Sequence, residues 1–173
     1  MDSKTKALGH PIHPMLIVFP LGLLTTAVIF DILGLITDRY GFAVASAYII
    51  PAGVIGGLVA GVFGLIDWRA IPSGSRAKRI GRLHGIGNGI ATLLFAGSWL
   101  FRLAGDTWEP GIWALLLGFA GVILAGLSAW LGGELVDRLG VGVDEGAHIN
   151  SPSSLSHIPA TAAGPRAGRA ASA

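Results

Sequence analysis

Gly9 to Thr37 reads GHPIHPMLIVFPLGLLTTAVIFDILGLIT. Two histidines, His10 and His13, stand between prolines at the mouth of an apolar run that extends from Met15 to Thr37 and is broken by one charge, Asp31. Proline fixes φ and has no N–H, so Pro14 reads as a helix start with His13 held just outside it. The run reaches the ~20 residues needed to cross a ~30 Å hydrocarbon core. It is also longer than the apolar part of a cleaved signal peptide. The expectation is a retained membrane helix with histidines at its entry.

The rest of the chain repeats that character. Further apolar runs cover about 42–66, 84–103 and 111–136, with Pro51 inside the second. Backbone groups in lipid must be bonded within the segment, so four runs mean four helices. Of the 173 residues 52% are hydrophobic and only 13% charged; soluble domains carry about 25% charge. The predicted architecture is all-α, an integral membrane four-helix bundle of two tandem helical hairpins over residues 1–143. Residues 144–173, rich in Ser, Ala, Pro and Gly, read as a disordered tail. With no cysteine, disulfides, iron–sulfur clusters and thiol catalysis are excluded.

Basic residues fix the expected orientation. Lys4, Lys6, Arg69, Arg76, Lys78, Arg79, Arg82, Arg138, Arg166 and Arg169 fall on one side, ten of twelve, against Arg39 and Arg102 on the other. Both termini are therefore expected to be cytoplasmic. The five basic residues between the second and third runs read as a loop that meets anionic lipid. Trp68, Trp99, Trp108, Trp113 and Trp130 lie near the span ends, as an interfacial aromatic belt does.

The two halves share an arrangement. His13 precedes the first span and Asp67 ends the second, in GLIDW (64–68); His84 opens the third and Glu134 ends the fourth, in LGGE (131–134). Such a direct repeat relates two hairpins by an axis along the membrane normal. From His13 to Asp31 is 18 residues, and from His84 to Arg102 is again 18, five whole helical turns. If the first and third spans adjoin, His13 faces His84 at one end and Asp31 faces Arg102 at the other, as a structural ion pair. Glycine faces mark the expected helix contacts: Gly53, Gly57, Gly61 and Gly64; Gly81, Gly85 and Gly89; Gly118, Gly121 and Gly132.

Three readings of the polar end stay open. His13 and His84 are axial ligands of a b-type haem, with Asn88 orienting His84 and Arg69 pairing a propionate. Or His13, His84, Asp67 and Glu134 hold a transition metal. Or the cluster is structural. No HExxH, Walker A or GxSxG motif is present, so no catalytic residue is assigned and the working reading is non-enzymatic. Besides the lipid bilayer, the expected partner is a redox or other membrane protein; no nucleic-acid partner is expected.

The stretches GHPIHPMLIVFPLGLLTTAVIFDIL (9–33), GLIDW, HGIGN (84–88) and GGELVDRLGVGV (132–143) together resemble the bacterial membrane family called domain of unknown function 2231. The resemblance covers about residues 9–143. It implies four spans, a bacterial inner membrane and association with redox modules, but no activity. One departure stands out. The family's closing motif tends to carry a histidine before its first glycine, where this chain has Leu139. If that histidine is a ligand in the family, this chain has lost it, while His13 and His84 remain. The alternative function is a non-catalytic scaffold or accessory subunit that binds other membrane proteins through its glycine faces.

Overall fold

The computed structural model describes residues 1–162. Among the described residues, five α-helices make four rods: α1 (Ile12–Leu16) runs into α2 (Val18–Thr37), followed by α3 (Tyr40–Ala70), α4 (Arg76–Leu103) and α5 (Ile112–Gly133). A π-helical turn, Glu134–Arg138, continues α5. Four stretches are long and apolar enough to cross a membrane: Ile12–Thr37, Tyr40–Ala70, Arg76–Leu103 and Ile112–Arg138.

The helix starts differ from the sequence expectation. Pro11 caps α1, so His13 and Pro14 both lie in its first turn. The first-turn N–H groups of a helix have no intrahelical partner, so a proline there loses no bond. The interruption comes instead at Ile17, three residues before Pro20, whose missing N–H leaves the Leu16 carbonyl without its helical donor. The basic segment between the second and third spans is largely not a loop. Ser75 caps α4 by accepting the Lys78 N–H at 3.1 Å, and Arg76, Lys78, Arg79 and Arg82 all lie in the first turns of that helix. In the polar lead, a small antiparallel pairing of Lys6–Ala7 with His10–Pro11 turns through Leu8 and Gly9, both at positive φ. Residues 144–162 carry turns and one 3₁₀ turn, Ser154–Ser156, whose first residue bonds the Leu8 carbonyl. The rest of the tail, with Arg166 and Arg169, lies outside the described residues.

The hairpins are α2–α3 and α4–α5; α3 against α4 joins them and α2 touches α5. This order puts α2 and α4 on a diagonal. They are not neighbours, yet their long side chains meet across the bundle axis. Midway lie Leu24, Ala27, Val28, Ile50 and Phe95. Small residues let the helices close around this core. A Cβ at Gly53 would strike Leu24 at 2.7 Å, and one at Gly121 would strike Phe95 at 2.9 Å. Gly81 meets Trp68, but Gly85 and Gly89 face open space; Gly87, against Ser128, makes the close approach of α4 to α5. Residues four apart drift around a helix of 3.6 residues per turn, so a glycine stripe that starts in the corner leaves the interface within two turns.

Toward the end of the bundle away from the start of α1, Arg102 Nη2 donates to Asp31 Oδ2 at 2.6 Å, with both side chains almost wholly buried. Asp31 Oδ1 and Arg102 Nε and Nη1 have no partner among the described residues. Removing one member of such a pair strands a buried charge and costs about 3–5 kcal/mol. Arg102→Met and Asp31→Leu each therefore lower stability by that order, and the double variant recovers most of it. Thermal unfolding in detergent measures this; a double variant as unstable as its worse parent would refute the pairing energetics.

Candidate functional site: two histidines on the bundle diagonal

His13, on α1, and His84, on α4, meet at the end of the bundle where α1 begins and α5 ends. Their ring centroids are 6.3 Å apart and their planes stand at 89°. Each ring is held the same way within its own hairpin. His13 Nδ1 lies 2.8 Å from the Ala60 carbonyl of α3, and His84 Nδ1 lies 2.8 Å from the Ser128 carbonyl of α5. A carbonyl only accepts, so each Nδ1 carries the proton and donates it. In its neutral form each ring is then the tautomer whose Nε2 keeps its lone pair.

The room for each ring comes from a glycine four residues beyond its carbonyl. Gly64 follows Ala60 and Gly132 follows Ser128. A Cβ at Gly64 would stand 2.9 Å from His13 Cε1, and one at Gly132 3.0 Å from His84 Cε1. The repeated unit is thus a histidine, a helix carbonyl and a glycine notch one turn further on. Glycine spacing alone pointed to helix contact; the notch was invisible without knowing which carbonyl the ring reaches.

Asn88, one turn after His84, donates from Nδ2 to the His84 main-chain carbonyl at 3.0 Å and lies 3.2 Å from His84 Nε2. The carboxylates do not join the pair. Asp67 accepts from the Ser3 hydroxyl at 2.8 Å, from the Lys4 and Thr5 amides at 2.8 and 3.3 Å, and from the Thr5 hydroxyl. It latches the polar lead onto the end of α3. Glu134 accepts from Arg76 Nη2 at 2.6 Å. Among the described residues, no group of three or more His, Cys, Asp or Glu could hold a metal ion. Arg69 is exposed at the end of α3, where its carbonyl and that of Trp68 accept from Lys78 Nζ. His10 sits in the lead, with Ser154 Oγ 3.2 Å from its Nε2.

A family model described as predicted membrane protein (DUF2231) matches residues 9–145. The chain belongs to this family. The match spans both histidines, both notch glycines, Asp67 and Glu134, so the family's extent takes in the whole site. No curated protein and no solved structure matches the chain.

The notch geometry makes a sharp comparison. Gly64→Ala and Gly132→Ala each push an imidazole off its carbonyl and lower stability by about 1–3 kcal/mol, the usual cost of overpacking. Gly61→Ala, where a Cβ meets nothing within 4 Å, leaves stability unchanged. Thermal unfolding with ¹⁵N shifts of the imidazoles separates them; a Gly64→Ala protein indistinguishable from Gly61→Ala removes the notch.

Proposed function

We propose that the chain is a non-enzymatic membrane module that holds a cofactor between His13 and His84 and serves a redox partner in the bilayer. One observation carries this reading: both rings donate Nδ1–H to a helix carbonyl, in equivalent places of two hairpins. Metal-ligating histidines almost always donate their other ring N–H to a carbonyl or carboxylate, which orients the ring and leaves the second nitrogen as ligand.

The donor set favours haem b over a bare metal. A protein-held zinc needs three or four side-chain ligands, and Asp67 and Glu134 are engaged elsewhere. A haem b would ask less of the protein, since two imidazoles would suffice to hold it. His13 and His84, with ring centroids 6.3 Å apart, are the two residues that would hold it. A bound haem would supply one-electron transfer. The chain's own part is to keep the rings oriented and half-buried. Asn88 Nδ2 packs over the His84 ring, 3.2 and 3.4 Å from its two nitrogens, and so leaves the Nε2 lone pair open; Arg69, exposed at the end of α3, is the cation that would meet a propionate.

The test is an absorption spectrum of detergent-purified protein from a haem-replete host, oxidised and dithionite-reduced, with metal analysis on the same sample. The expected result is a Soret band lost in His13→Ala and in His84→Ala. A colourless, metal-free protein overturns the reading in favour of a scaffold or accessory subunit. That alternative draws on Gly61, Gly85 and Gly89, whose open faces would let a partner helix approach closely.

The same reading places the chain in a bacterial inner membrane with both termini cytoplasmic, supported by the basic residues gathered at that end. Because the chain has no cysteine, single cysteines report sidedness. Thr107→Cys reacts with a membrane-impermeant maleimide in intact cells, and Ser156→Cys reacts only after lysis; the reverse pattern inverts the topology.

A further inference from the structure

Where α3 turns into α4, an open depression of about 580 Å³ is lined by Trp68, Ser75, Arg76, Lys78, Arg79 and Arg82. Two of its cations are already engaged. Lys78 caps α3 through the Trp68 carbonyl at 2.8 Å while its ammonium lies 4.1 Å from the centre of the Trp68 ring, and Arg76 pairs with Glu134. Arg79 and Arg82 are exposed and make no ion pair or side-chain hydrogen bond among the described residues. Two guanidiniums, each able to fork onto an oxyanion, thus flank a hollow at the end of two spanning helices.

What continues from that hollow identifies the ligand. At ~100° per residue, Arg79 and Arg82 share one face of α4 with Leu83, Ile86, Ile90 and Leu93. These four apolar side chains are exposed, at 52%, 53%, 46% and 71%. His84 and Asn88 project about 140° and about 180° away from Arg79, so this face is separate from the histidine pair. A cationic head over an unbroken apolar stripe has the polarity profile of a phospholipid with an anionic headgroup. A free phosphate would use only the top of it.

We infer that Arg79 and Arg82 form a binding site for the phosphate of an anionic phospholipid, whose acyl chains lie along Leu83, Ile86 and Ile90. The site is independent of any cofactor between the histidines. Each arginine near an anionic membrane surface contributes about a fivefold gain in binding, so Arg79→Gln/Arg82→Gln weakens retention roughly 25-fold.

The experiment is native mass spectrometry of the full chain released from detergent micelles doped with phosphatidylglycerol or phosphatidylcholine. The expected result is a phosphatidylglycerol adduct on the wild-type protein that is lost in the double variant and kept in Lys4→Gln. Equal adducts with phosphatidylcholine, or an adduct that survives in the double variant, would overturn the site. Displacement of the lipid by millimolar inorganic phosphate would reassign it to a free anion and overturn the lipid.

Discussion

Two opposite charges taken out of water, on helices that do not pack side by side, set the register of this bundle. Asp31 and Arg102 belong to α2 and α4, which lie on a diagonal. An arginine is long enough to cross the axis, so the helices need not touch. The pair is incompletely satisfied, with Asp31 Oδ1 and two arginine nitrogens unpartnered among the described residues. Desolvating two charges for one short contact gains little net stability, and the better-attested use of such pairs is to select one arrangement over its competitors. A shift of α4 by one turn would separate the charges by about 5.4 Å and strand both. The same register, 18 residues on along each rod, brings His13 opposite His84.

Packing between the charged and the imidazole layers depends on what is missing from side chains. Gly53 admits Leu24, Gly121 admits Phe95, and Gly87 admits Ser128. Hydroxyls supply the remaining cross-helix bonds: Ser46 Oγ donates to the Ala27 carbonyl and Ser98 Oγ to the Ala114 carbonyl, both buried. Lipid tails are as apolar as leucine, so close backbone approach and such bonds hold helices together where the hydrophobic effect does not. The aromatic residues divide accordingly. Trp113 and Trp130 are exposed, as a belt requires, whereas Trp68 is folded into the α3–α4 corner and donates to the Lys78 carbonyl at 3.0 Å.

Four spanning helices were legible because the apolar runs are long and the lipid constraint admits little else. What escaped the sequence shares one cause: it depends on partners far away along the chain. The basic stretch from Arg76 to Arg82 lacks apolar periodicity and reads as loop, yet a serine cap and a stabilising corner with Trp68 make it helix. Asp67 sits where a ligand would be wanted, but the amides of Lys4 and Thr5 reach it first, and nothing in the lead announces that it will fold back. The stripe Gly81, Gly85, Gly89 has the right spacing, whereas contact falls at Gly87. Equal spacing of His13–Asp31 and His84–Arg102 showed that the pairs share a face, but a helical wheel cannot distinguish neighbours from diagonals.

Asp31 and Arg102 answer each other, a donor to an acceptor. His13 and His84 do not. Each gives its Nδ1–H to a backbone carbonyl of its own hairpin, so in the neutral rings the nitrogens left over are both acceptors. Two acceptors cannot bond one another; a proton, a water or a Lewis acid must supply what the pair lacks. Asn88 Nδ2 lies 3.2 and 3.4 Å from the two ring nitrogens of His84, over the ring and not in line with either lone pair. Two rigid rings, held by equivalent bonds and seated in equivalent glycine notches, stand across the bundle axis with centroids 6.3 Å apart and planes at 89°.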